Sequence, residues 1–199
     1  MKTRNLLVIA SLLLASVFAS GSALAGPASE VVKTKQTVLF GLIAQTPTPD
    51  NQAKLKALFD EMLDYSGLAH ASLGDRWGKL SGAEQKEFSD LLEKLVRRNY
   101  QRNLKKMLGW EVQYLGEEQV DGGVLVKTRA VNKGDKRADP IQLDFKMVQV
   151  DGRWLVGDLI PEGASLVSTY HTQFTRIYDK DGYPALKAKM LKKLGEKLD

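Results

Sequence analysis

RWLVGDLIPEGASLVSTYHTQF, residues Arg153 to Phe174, changes its period in the middle. In the first half Trp154, Val156, Asp158 and Ile160 alternate with Leu155, Gly157 and Leu159, the pattern of a strand. In the second half Leu166, Val167, Tyr170, Phe174 and, just beyond, Ile177 recur at helical spacing. Pro161-Glu162-Gly163 breaks both patterns, and Ser165 is a natural N-cap for the helix. A strand that turns sharply into a helix lying back over its own sheet can close one side of a hollow. No nucleophile or metal-ligand cluster accompanies this unit, so it points to a container more than to a catalyst.

Working upstream, the period-two pattern continues. Val112 and Tyr114 mark a first strand, Val124, Val126, Thr128 and Ala130 a second, and Ile141, Leu143, Phe145 and Met147 a third. Asp121-Gly122-Gly123 and Asp151-Gly152 are hairpin signals, and residues 132–140 form a longer polar connection. Four antiparallel strands with one apolar face follow.

Before the strands the spacing is helical throughout. Val31, Val32, Lys35, Val38, Leu39, Leu42 and Ile43, mostly apolar at helical spacing, predict a first helix over 29–45. Thr48 and Pro49 open a second that carries Leu55, Leu58, Phe59, Met62 and Leu63. Residues 65–73 read as a short helical piece ending at Gly74. Ser81 and Glu84 form a capping box ahead of the longest helix, whose apolar stripe runs Phe88, Leu91, Leu92, Leu95, Val96, Tyr100, Leu104 and Met107. Its other face carries Lys86, Glu93, Lys94, Arg97, Arg98, Arg102, Lys105 and Lys106, which reads as a solvated face or a docking surface. Downstream of the opening stretch, residues 179–182 predict a turn. Tyr183-Pro184 then starts a last, lysine-rich helix with Leu186, Met190, Leu191, Leu194 and Leu198. The class is α+β: a curved antiparallel sheet of about four strands, wrapped by helices.

The chain begins with a basic n-region (Lys2, Arg4), an apolar run from Leu6 to Phe18 and an A-x-A site at Ala23-Leu24-Ala25. This predicts a signal peptide over 1–25, cleaved to leave one domain over 26–199. The apolar run is shorter than the ~20 residues of a membrane span. No cysteine is present, which excludes disulfides, thiolate metal sites and a lipoprotein anchor. The formal charge of +5 falls to +3 without Lys2 and Arg4, too mild for a nucleic-acid binder.

Chemistry is sparse. His70 and His171 stand far apart without neighbouring ligands, so neither a metal nor a cofactor site is expected. The best enzymatic case makes Asp158 a general base on the inner face of its strand. The alternative has Asp158 pairing with a backbone N–H or an arginine where the strand enters the turn. Asp144 is expected to point outward as a structural residue. The apolar faces of so many helices against one small sheet either fill the interior or leave an apolar cavity. Three readings result: a binder of a long apolar ligand, an enzyme, and a pocketless adaptor.

Trp154, Val156, Asp158, Glu162, Gly163, Ser165 and Leu166 resemble the W-x-V-x-D-x-x-x-E-G-x-S-L motif of the MlaC family, also called the toluene-tolerance or ABC-transporter auxiliary family. Leu73-Gly74, Trp77, Leu80-Ser81, Gln85, Phe88, Tyr100 and the segment IQLDF at 141–145 resemble it in the same order. His171, Thr169 and Pro161 depart from its common pattern. The resemblance implies a soluble periplasmic phospholipid carrier, no enzyme, with a nuclear-transport-factor-like cone extended by a helical subdomain. It implies an outer-membrane lipoprotein complex and an inner-membrane MCE-domain protein of an ABC transporter as partners. By position it puts Tyr100, Ile141 and Ala164 near the lipid. The alternation adds Val126, Phe145 and Trp154 to that site, and the helices add Phe59, Leu95 and Tyr170. The turn at Glu162-Gly163 is expected to be a flexible rim.

Overall fold

The computed structural model describes residues 26–135 and 137–195. The expected signal peptide and Leu198 lie outside them. Helices α1 (Pro27–Ile43), α2 (Pro49–Met62) and α3 (Tyr65–Leu73), a 3-10 turn (Gly74–Lys79) and α4 (Gly82–Lys106) come first. Strands β1 (Trp110–Val120), β2 (Gly123–Asn132), β3 (Ile141–Val150) and β4 (Arg153–Pro161) follow, then α5 (Leu166–Gly195). The strands form one antiparallel sheet in the order β1-β2-β3-β4.

The helix starts are set by local chemistry. Thr48 accepts from the Asn51 N–H at 3.2 Å, with Pro49 in the first turn of α2. Ser81 and Glu84 make both bonds of the capping box that opens α4. The α1 start has no side-chain cap of its own; Glu117 of β1 accepts from the Ser29 N–H at 2.6 Å instead. That bond fixes α1 to one edge of the sheet. At the other edge, the Asp64 N–H donates to the Val156 carbonyl at 3.1 Å, tying the α2–α3 junction to β4.

Helix α5 is two helices joined across a kink. Gly182 interrupts it at φ 78°, a left-handed conformation that favours glycine, and Pro184 follows. The expected turn over 179–182 is thus a single-residue break. Past it, the Tyr183 hydroxyl donates to the Glu84 carbonyl at 3.1 Å, and Leu186 and Met190 are fully buried. Leu191, expected on that apolar face, is 47% exposed. On α1 the buried stripe is Ala28, Val32, Gln36, Leu39 and Ile43, so Val38 stands in solvent where the apolar count had placed it inward.

Two irregularities shape the sheet. Tyr114 pairs with Thr128 and Gly116 with Lys127, leaving Leu115 as a bulge in β1. In β4, Val156 pairs with Met147 but Asp158 with Lys146, so Gly157 is the extra residue. Beyond that bulge the alternation slips by one. Leu159 and Pro161 come opposite Phe145 and Leu143, in place of the expected inward Ile160. Asp144 also departs from expectation. It is buried, and its carboxylate accepts from the Thr128 N–H at 3.0 Å where the β2–β3 ladder skips two pairs. The Gln142 amide donates to its other oxygen at 2.6 Å. Its role is structural, but it points into the sheet and not outward.

Candidate functional site

The concave side of the sheet meets the helices around a cavity of about 230 Å³. Leu143 and Phe145 of β3 and Leu159 and Pro161 of β4 form its floor. Val32, Gln36 and Leu39 of α1 and Met62 of α2 close one side, and Tyr100 and Leu104 of α4 with Met107, its C-cap, the other. Leu166, at the start of α5, and Ile141, at the start of β3, complete the wall. Asn99, Asn103 and Lys106 are the polar lining residues on α4, so the cavity is apolar inside and polar along one margin. Gln36 is buried, and its side-chain oxygen accepts from the Tyr114 hydroxyl at 2.6 Å.

Tyr100, Leu159 and Leu166 separate this cavity from a much smaller void of about 10 Å³ beneath α4. The Tyr100 ring stands edge-on to Phe59, with centroids 5.7 Å apart. Its hydroxyl is fully buried without a hydrogen-bond partner in the protein. Burial drives its pKa well above the usual phenol value, and the nearby Asp158 carboxylate adds to the rise. The Tyr100 oxygen therefore stays protonated and offers a free donor at the partition.

The turn from β4 into α5 is closed by its own side chains. The Ser165 hydroxyl and the Val167 N–H both donate to Asp158, the latter at 3.1 Å, and Ser165 in turn accepts from the Ser168 N–H at 2.9 Å. Asp158 thus serves the N-terminus of α5, the backbone-pairing role weighed above against a general base. Glu162 and Gly163 both take positive φ, 49° and 76°. The Ala164 N–H closes the turn on the Pro161 carbonyl at 2.8 Å. Glu162 also exchanges hydrogen bonds with Gln142 of β3: its N–H donates to the Gln142 carbonyl at 3.0 Å, and its carboxylate accepts from the Gln142 N–H at 2.6 Å. The segment expected as a flexible rim is a tied turn.

The expected site residues separate into four groups. Tyr100, Ile141 and Phe145 line the cavity together. Leu95 and Tyr170 line a neighbouring groove between α4 and α5, and Tyr170 also borders the small void with Tyr100. Phe59 is fully buried one layer behind Tyr100. The other three are elsewhere. Val126 is fully buried in the sheet core beside Phe145 and does not line this cavity. Trp154 pairs with Gln149 near the Asp151-Gly152 hairpin, at the opposite end of β3 from Ile141. Ala164 is exposed on the tied turn, above a shallow surface depression.

Several cavity residues were absent from the expected set: Val32, Leu39, Leu104, Met107, Leu143, Leu159 and Leu166. Most carry a sequence signal, since they lie on the apolar stripes of α1 and α4 and the inner positions of β3. Leu159 does not, because the bulge at Gly157 hides it.

Among the described residues, no group of three or more histidine, cysteine or acidic side chains is placed to hold a metal, and no helix is long and apolar enough to cross a membrane.

A solved structure with the same fold is the phospholipid-binding protein from Ralstonia solanacearum, determined in complex with a phospholipid. The two superpose with a TM-score of 0.72 at 23% identity, over 86% of this chain and 98% of the other. No curated protein matches the chain at a significant level. The model of the MlaC protein family matches residues 41–192, which takes in α2 to β4, most of α5 and every wall of the cavity except the one that Val32, Gln36 and Leu39 of α1 supply. The chain belongs to the MlaC family.

Proposed function

We propose that this protein is a periplasmic phospholipid carrier and not an enzyme. The observation that carries the reading is an apolar cavity held between the helices and the concave sheet face in a chain of the MlaC family. The phospholipid bound by the Ralstonia protein of the same fold supports it. In this reading residues 1–25 direct export and are removed, and residues 26–199 act as one domain. The carrier exchanges lipid between an outer-membrane lipoprotein complex and an inner-membrane MCE-domain protein of an Mla-type ABC transporter.

The physics suits a carrier. Each CH₂ of an acyl chain costs about 0.8 kcal/mol to expose to water. A wall of Leu39, Leu104, Leu143 and Phe145 removes that cost without a covalent step. At about 230 Å³ the cavity is below the ~300–1,000 Å³ of pockets that enclose drug-sized ligands. Lipid entry therefore displaces side chains, and Tyr100, Leu159 and Leu166 are the ones with void on both sides. Tyr100, Ile141 and Phe145 contact the acyl chains directly, while Phe59 supports Tyr100 from behind.

Native mass spectrometry of the secreted protein, followed by organic extraction, tests the reading. A mass increment equal to a diacyl phospholipid is expected. A clean unliganded mass that persists after incubation with phospholipid vesicles would sink it. The adaptor reading would then stand next, its mark being binding to a partner that weakens with salt.

A further inference from the structure

The groove between α4 and α5 differs in chemistry from the cavity it adjoins. Arg98, Asn99 and Arg102 line it from α4, Thr169 and Gln173 from α5, and Lys193 from the far end of α5, around a space of about 370 Å³. Asn99 and Leu166 belong to both walls. A molecule whose apolar part fills the cavity and whose polar end emerges past Asn99 therefore meets this groove.

Three cations face the groove, and no carboxylate lines it. The preceding residue on α4, Arg97, is paired with Glu93 at 2.7 Å and Asp60 at 3.3 Å. Arg98, Arg102 and Lys193 have no such partner among the described residues; what they touch is neutral. Arg98 donates to the carbonyls of Lys193 and Leu194 at 3.1 and 2.6 Å, which anchors it against the end of α5. Arg102 donates to the Asn99 side-chain oxygen at 3.1 Å, and Lys193 to that of Gln173 at 3.3 Å. Uncompensated positive charge in a concave groove with amide and hydroxyl groups suits a phosphate oxyanion.

We propose that this groove seats the phosphodiester of the lipid whose acyl chains occupy the cavity, an assignment that rests on the carrier reading above. Arg102 and Lys193 pair with the phosphate, and Arg98 supplies fixed positive potential behind them. The same three cations repel an ammonium in the head group. The carrier therefore favours a phospholipid of net negative charge over a zwitterionic one.

The test loads the full secreted protein from vesicles holding equal parts phosphatidylglycerol and phosphatidylcholine, and counts each lipid after extraction. Wild type is expected to take phosphatidylglycerol in at least about threefold excess, as two partly exposed charge pairs allow. Arg102→Gln with Lys193→Gln should bring the ratio close to one, chiefly through lost phosphatidylglycerol. Lys33→Gln with Lys54→Gln removes the same charge from α1 and α2 and should leave the preference intact. Equal uptake by wild type, or a preference that survives Arg102→Gln/Lys193→Gln, overturns the proposal. Failure of every variant to take up either lipid overturns the carrier reading itself. Calorimetric titration with inorganic phosphate supplies the last arm. Binding that depends on Arg102 and Lys193, without any head-group preference, would assign the groove to a free anion and overturn its assignment to lipid.

Discussion

Helix α4 presents one continuous apolar stripe to the interior, yet its two halves meet different surroundings. In the N-terminal half Phe88 is fully buried, edge-on to both Phe174 and Trp77, at 5.7 and 6.2 Å between centroids. Phe174 in turn stacks on Tyr170 at 5.2 Å. In the C-terminal half Tyr100, Leu104 and Met107 face the cavity. The spacing of apolar residues is the same in both halves. The difference lies in what the rest of the chain brings to them: aromatic rings from α5 and the 3-10 turn at one end, a concave sheet face at the other. An amphipathic helix thus specifies that a face is buried, and its partners specify whether the space is filled.

The contrast can be broken most directly by truncation. Phe88→Ala removes a ring with neighbours on every side and should cost about 3–5 kcal/mol in denaturant unfolding of the delipidated protein. Leu104→Ala should cost only about 1–2 kcal/mol, because a side chain already bordering a void gives up fewer contacts. Equal losses at the two sites would show that the C-terminal half is as tightly packed as the other.

A filling substitution sharpens the same point from the opposite direction. Leu143→Trp projects a larger ring into the cavity and should lower lipid occupancy at least about tenfold, or ~1.4 kcal/mol. Unfolding free energy should stay within about 1 kcal/mol of wild type, less than the ~1–3 kcal/mol typical of overpacking a full core. Lipid retained at wild-type levels would show that the ligand lies elsewhere.

The smallest effect is expected at the partition. Tyr100→Phe removes a buried hydroxyl that has no partner in the protein. Stability should be unchanged or raised by up to about 1 kcal/mol, since an unmet desolvation cost disappears. A clear loss in the lipid-bound form alone would identify the hydroxyl as a ligand contact.

Much of this architecture was legible in the sequence because its determinants are local. Thr48-Pro49, Ser81 with Glu84, and the Asp-Gly hairpins each fix one element boundary with two or three residues. The α+β class and the antiparallel order follow from the switch of period after Trp110. The misreadings have a common physical source. A bulge inserts one residue into an alternation, and at Gly157 that residue has no side chain to announce it, so plain alternation puts Ile160, and not Leu159, on the face of Val156. On α1 the buried stripe passes through Gln36, whose amide is satisfied by Tyr114, a partner 78 residues away. Hydrophobicity alone chose Val38. Trp154 and Val126 sit on correctly read strands, but a strand's inner face runs past the cavity at both ends, and only the pairing register says which residues reach it.

The hydrogen bonds around Asp158 have a mechanical consequence. One carboxylate holds the last turn of β4 to the first turn of α5, and Glu162 holds the intervening turn to β3. Leu159, Pro161 and Leu166 are therefore mounted on a backbone held by one set of hydrogen bonds, so on that side of the cavity only side chains move aside for a ligand.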